Sequence, residues 1–250
     1  MNQRRYFLEL AYKGTKYHGW QIQANAHSIQ EEINQALSLV LRVPIETMGS
    51  GRTDTGVHAR QQYLHFDGPD NLDRNDLLKR LNGILPKDIA AYDLLEVRFE
   101  AHARFDAISR SYEYHISLQK NPFEEELSWL YFNSLDMGRM NEASSLLLDI
   151  CDFESFSKIK TQVNNFKCII KHAYWEQKEQ GLIFHISANR FLRGMVRAIV
   201  GTLVLVGENK LDLKGFQAIL ESKDRRKAGS SAPACGLYLC RVAYPASIFI

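Results

Sequence analysis

The sequence predicts an α+β protein of two ferredoxin-like (split β-α-β) halves, with largely antiparallel sheets flanking a central cleft. Three observations lead to that class. Short runs of two-residue alternation mark strands along the whole chain. Amphipathic runs with start and stop signals mark helices between them. The order of elements in the first hundred residues then returns in outline in the remainder. No low-complexity linker separates the halves, and the join falls in the stretch Ala101 to Asp106, giving segments 1–103 and 104–250.

Tyr6 to Tyr12 alternates and is rich in β-formers, so it reads as a strand. Gly14 to Trp20 is a glycine-punctuated loop. Ser28 followed by Glu31 is a capping box, which opens a helix carrying Ile33, Leu37, Val40 and Leu41 on one face; Pro44 ends it. Ile45 to Met48 and Gln62 to Phe66 read as strands, with a polar, glycine-rich segment between them. Asn75 to Leu85 is a helix stopped by Pro86, and Ile89 to Val97 a strand. In the second part, Ser109 to Leu118 is a strand with clean alternation at Tyr112, Tyr114 and Ile116. Met137 to Leu148 is a helix, and Ile169 to Gln177 with Leu182 to Ala188 a hairpin. Phe191 to Val206 and Leu213 to Glu221 are helices, and Gly236 to Val242 a last strand.

Composition excludes several classes. With 45% apolar and 24% charged residues the chain is that of an ordinary globular protein, large enough to bury a core without staples. The four cysteines, Cys151, Cys168, Cys235 and Cys240, form no C-x-x-C pair and no zinc spacing, which fits reduced thiols in a cytoplasmic protein. The basic N-terminus soon meets Glu9 and has no long apolar core, and the most apolar run, Ala198 to Gly207, is about half of what a bilayer requires. Net charge is only +2, but cations cluster at Arg190, Arg193 and Arg197 and again at Lys223 to Lys227, which leaves room for a one-sided basic surface.

Gly51-Arg52-Thr53-Asp54-Thr55-Gly56-Val57-His58-Ala59 is the segment that breaks the rules for a core. Its glycines permit tight turns and close approach of a ligand. Arg52 and Asp54 fall on one face of an extended chain, so the guanidinium can keep the carboxylate ionised, as suits a nucleophile or base. A turn-capping aspartate beside an exposed arginine is the plain alternative. Asp54-Thr55-Gly56 also matches the D-T-G of aspartic proteases, but those enzymes need two such loops sharing a proton, and this chain has one.

The same segment, followed by Gln62 and His65-Phe66, resembles the signature of the tRNA pseudouridine synthase A family. Tyr12-Lys13-Gly14-Thr15-Lys16-Tyr17-His18-Gly19-Trp20-Gln21 resembles that family's opening motif, with Lys13 in place of its usual acidic residue. His102 to Phe105, Arg110 to Tyr114, Asp152 to Phe156, Asn189 to Arg197 with Gly201, and Ala232 to Leu239 resemble further motifs in the family's order, with Gly194 and Ala198 less typical. The resemblance spans nearly the whole chain. It implies two α+β halves with a cleft between their sheets, a homodimer, tRNA as substrate, uridine in the anticodon stem-loop (around positions 38 to 40) as target, and no metal or organic cofactor.

The resemblance also assigns roles. Asp54 matches the catalytic aspartate, open to attack at C1′, attack on the base or removal of a C2′ proton. Arg52 either pairs with Asp54 or fills the space of an extruded base. Tyr112 matches the pocket tyrosine, against a plain reading as a sheet-face core residue. Arg197 matches the late arginine near the carboxylate, and with Arg190 and Arg193 it forms a stripe at helical spacing, the other two offered to phosphates. Tyr17, Gln21 and His58 are further substrate contacts, His58 alternatively a brace for the loop, and Lys158 and Lys160 are candidate phosphate contacts. A non-catalytic RNA-binding protein of the same architecture and a carboxylate hydrolase are the competing classes.

Overall fold

The computed structural model describes residues 3–159 and 165–250. They form two compact units, one of residues 1–108 with 239–250 and one of residues 109–238. The final segment therefore returns to the first unit, although the sequence reading runs the second half to the end of the chain.

The first unit follows the order read from sequence: β1 (Gln3–Tyr12), α1 (Ile29–Leu41), β2 (Met48–Gly49), β3 (His58–Pro69), α2 (Arg74–Ile84) and β4 (Ile89–Val97). β1 lies between β3 and β4 and is antiparallel to both, with Leu8 opposite Leu64 and Leu94. Of the Ile45 to Met48 stretch only Met48 pairs, together with Gly49 just beyond it, antiparallel to β3. Tyr6, Phe7 and Leu8, like Gln62 to Phe66, are buried in unbroken runs, so both faces of these strands are covered. Ile33, Leu37 and Val40 of α1 and Leu77 and Leu81 of α2 join that core. Ser28 caps α1 by accepting the Glu31 N–H at 3.3 Å, and Asp73 caps α2. The returning segment is tied in by Val242 N–H to the Gln61 side chain (3.0 Å) and by Tyr244, whose hydroxyl donates to the Ala103 carbonyl (2.6 Å) and whose ring meets Phe7 edge-on.

In the second unit β5 (Ser109–Ser117) pairs antiparallel with β8 (Gly181–Ala188), which pairs antiparallel with β7 (Ile170–Lys178). A two-residue β6 (Trp129–Leu130) runs parallel to β5, an element that no periodicity could announce. Helices α3 (Met137–Ser145), α4 (Met195–Gly207) and α5 (Leu213–Ser222) pack together, α3 also against β7. α4 is buried almost all round, so it is a core helix rather than a surface one. A glycine makes room for its neighbour: a Cβ on Gly201 would lie 1.8 Å from the Ser230 carbonyl oxygen. β9 (Leu237–Ala243) leads from this unit into the returning segment. No helix among the described residues is long and apolar enough to cross a membrane.

Candidate functional site

In the first unit the loop carrying Asp54 is held from below by the strap Tyr12 to Trp20. The strap turns sharply after β1, and Gly14 sits so close to the loop that a Cβ there would meet the Val57 carbonyl oxygen at 2.0 Å. Its N–H donates to His58 Nδ1 at 3.0 Å. Gly19 has φ +90°, and a Cβ on it would come within 2.4 Å of the Thr53 carbonyl oxygen. That same carbonyl accepts the Trp20 N–H at 3.2 Å, while the Gly56 N–H donates to the Tyr17 carbonyl at 3.4 Å. The Tyr12 hydroxyl bonds Thr53 Oγ1 at 2.8 Å. Inside the loop the Val57 N–H closes a turn onto the Asp54 carbonyl (3.1 Å).

The other wall of the loop is a buried polar cluster. Gln62 on β3 accepts a short hydrogen bond from Ser50 through its oxygen and donates through its nitrogen to the Gly51 carbonyl at 3.0 Å. Both side chains are fully buried. The backbone on either side of Asp54 is thus fixed by hydrogen bonds to buried partners, which are expensive to break. Asp54 itself is half-buried and Arg52 exposed.

Two of the predicted contacts, His58 and Tyr17, belong to this support, and Gln21 lies beside it. His58 is 1% exposed and accepts the Gly14 N–H, so it braces the loop. Tyr17 is 2% exposed, and its hydroxyl donates to Asp88 Oδ1 at 2.7 Å; burial, then the Asp88 carboxylate, push its ionisation well above the usual tyrosine range. Its ring is buried beside His27, the centroids 5.0 Å apart. Gln21 is half-buried and donates to Gln30 Oε1 at 2.9 Å.

In the second unit Tyr112 stands on β5 opposite Ile186, half-buried, its ring edge-on to Phe191 with centroids 5.0 Å apart. Arg197 lies in the first turn of α4, where its Nε donates to the Ala232 carbonyl at 2.7 Å and its own carbonyl accepts the Ala232 N–H at 2.9 Å. The helical stripe of three arginines is corrected: α4 starts at Met195, so Arg190 and Arg193 precede it. Two local features stop the helix from reaching back. Gly194 has φ +71°, and Asn189 uses its side-chain oxygen to accept the N–H groups of Ile169 and Arg190, both at 2.8 Å. Arg190 is half-buried and reaches Asn165 Oδ1 at 3.3 Å. Arg193 and Lys158 are exposed and share a brace, the Lys158 N–H donating to the Arg193 carbonyl at 3.0 Å. Lys160 lies outside the described residues.

Sequence reasoning missed the buried partners. Gly14 reads only as a turn glycine, and nothing in Ser50 or Gln62 alone announces their pairing. Arg225 reads as part of a basic run, yet its guanidinium is folded inward, donating to the Gly229 carbonyl and to Ser231 Oγ, each at 3.0 Å. The small residues Ala228 to Ser231 were the available signal for such close packing against α4. Among the described residues no group of three or more His, Cys, Asp or Glu side chains is placed to hold a metal ion.

Comparison with known proteins extends this picture. The sequence profile of a family described as tRNA pseudouridine synthase matches residues 10–106 and 150–245. The first segment contains the Asp54 loop and its strap, the second Arg190, Arg193 and Arg197, while Tyr112 falls between them. A protein from Bacteroides thetaiotaomicron named tRNA pseudouridine synthase A is 49% identical over 98% of this chain and 93% of its own. Proteins of the same name from Parabacteroides distasonis (48% identical, 98% of each chain) and Treponema denticola (41% identical, 98% of this chain and 94% of its own) match over nearly the same span.

Proposed function

The chain belongs to the tRNA pseudouridine synthase family of isomerases, and from that premise we propose that it converts uridine to pseudouridine in the anticodon stem-loop of tRNA, with Asp54 as its essential carboxylate. The observation that carries the reading is the Asp54 loop: a half-buried carboxylate on backbone pinned from both sides by buried hydrogen bonds. Catalysis is helped when the reacting group is held before substrate arrives, and this loop has the needed rigidity.

The reaction breaks the bond from C1′ to N1, turns the detached uracil, and joins C1′ to C5. The proton on C5 is lost and one is gained at N1, so nothing is added or oxidised overall. Such an isomerisation calls for no redox carrier, and we assign it no metal and no organic cofactor. Asp54 opens the glycosidic bond, by attack at C1′, by attack on the base, or by taking the C2′ proton. Arg52, exposed beside it, occupies the space of the extruded base, whose unstacking costs a few kcal/mol. Tyr112 stacks on the base, a contact worth about 1–3 kcal/mol. Arg197 supplies a cation for the reacting centre, and Arg190, Arg193, Lys158 and Lys160 meet phosphates. Gln21 contacts the RNA, while Tyr17 and His58 position the loop. The working form is a homodimer.

Transfer RNA carrying tritium at C5 of uridine tests the reaction. Isomerisation releases that tritium to solvent without freeing uracil. Release of free uracil would mark a hydrolase, and release of neither a binding protein.

A further inference from the structure

Resting on the RNA reading above, we infer that a lysine-rimmed cleft on the first unit, distinct from the Asp54 loop, is a docking site for the phosphate backbone of RNA. The cleft, of about 550 Å³, is lined by Lys13, Lys16, Tyr17, His27, Lys87 and Asp88 with Pro86. The exposed Lys16 and Lys87 stand beside one carboxylate. That carboxylate is already engaged: Asp88 Oδ1 accepts the Tyr17 hydroxyl at 2.7 Å, and Oδ2 lies 3.9 Å from Lys16 Nζ. The cleft therefore keeps a surplus of positive charge after its internal pairing. Glu32 is paired with the cleft residue His27, 2.5 Å away.

Placement gives the surplus a purpose. Lys16 is 81% exposed on its side-chain surface and Lys87 is also exposed, so their charges are open to a ligand. Lys13 and Lys16 flank Gly14, the residue pressed against Val57 and bonded to His58. The cations thus ride on the strap that holds the catalytic loop. The walls suit a polynucleotide: His27 packs on Tyr17 with ring centroids 5.0 Å apart, giving a ring face beside the charges for ribose or base. Lysines are point charges without the fork of arginine, matched to phosphate oxygens in an irregular backbone.

The test is the salt dependence of tRNA affinity for the full chain and for Lys16→Ala/Lys87→Ala, each confirmed as folded by its thermal melt. Each phosphate contact contributes a slope of about 0.9 in log affinity against log salt. Removing two such ammonium groups should flatten the slope by about 1.8, so that the fall in affinity between 50 and 200 mM salt shrinks about tenfold. Lys16→Arg/Lys87→Arg, which keeps the charges, should restore the slope. An unchanged slope in the alanine variant overturns the assignment. Inorganic phosphate at matched ionic strength should displace no tRNA from the unaltered chain. Displacement that disappears in the alanine variant would give the cleft to free phosphate instead. Tritium release by the unaltered chain is read separately, so a chain that binds RNA without isomerising it fails the proposed reaction and still leaves the lysines decided by their slope.

Discussion

Two loops in this molecule carry the residues proposed to act on RNA, and they are built differently. The Asp54 loop is locked by inward-facing partners: Tyr12, Ser50, His58 and Gln62 are all buried and all bonded to the loop or its strap. The segment before α4 is braced along its backbone, through Asn189 and through the Lys158–Arg193 contact, while Arg193 and Lys158 extend outward. A reacting carboxylate needs a fixed position, because an error of an ångström costs rate. A phosphate contact needs reach more than position, since counterion release depends on charge being delivered, not on one geometry. The fixed loop suits a reacting carboxylate, and the segment before α4, braced only along its backbone, suits the delivery of charge.

The contrast can be broken at Gly14. Gly14→Ala puts a methyl group 2.0 Å from the Val57 carbonyl oxygen. Overpacking of this kind costs about 1–3 kcal/mol, occasionally more. The loop must shift, so turnover should fall by about 10²-fold or more with a lowered melting temperature. Wild-type turnover in this variant would mean that the strap does not position Asp54.

A smaller effect sharpens the other side. Arg190→Ala/Arg193→Ala should weaken tRNA binding and flatten the salt slope by about one unit for each phosphate left without its arginine. If turnover at saturating tRNA collapsed instead, with the slope intact, these arginines would belong to the reacting centre.

The smallest effect is on pH. His65 Nδ1 accepts the Ala103 N–H at 3.1 Å, and its ring meets His102 at 4.6 Å. Burial, with repulsion from His102 and Arg5, lowers its pKa from 6.5 to about 4. The folded state therefore takes up a proton less readily than the unfolded one. The stability this provides is complete above pH 6.5 and is lost as pH falls toward 4. Melting temperatures between pH 7 and pH 4.5 should drop more steeply for the wild type than for His65→Asn, which keeps an acceptor for Ala103 but does not titrate. Parallel curves would remove His65 from the account.

Much of the first unit was legible because its signals are local. The helix start at Ser28, whose side chain accepts the Glu31 N–H, and the strand Ile89–Val97 follow from neighbouring residues alone, and both stand as read. The start of α4 was not, because Leu192, Val196, Ile199 and Leu203 keep helical spacing through a glycine that adopts φ +71°. Spacing reports which residues turn inward, not where the helix begins. β6 is too short to show a period, and it exists by pairing with β5. At the site, Asp54 stood out because its loop violates core composition. Gly14 and Gln62 did not, since their importance is a contact across more than forty residues of chain or with a partner that sequence leaves unspecified.

The central claim is that the pinned Asp54 carboxylate drives the conversion of uridine. It is tested most directly by incubating tRNA with excess Asp54→Asn protein and counting pseudouridine by mass spectrometry, with tRNA affinity measured on the same preparation. The account predicts that conversion falls by about 10²–10⁴-fold or more while affinity stays within about threefold. Conversion at near the wild-type rate would contradict it.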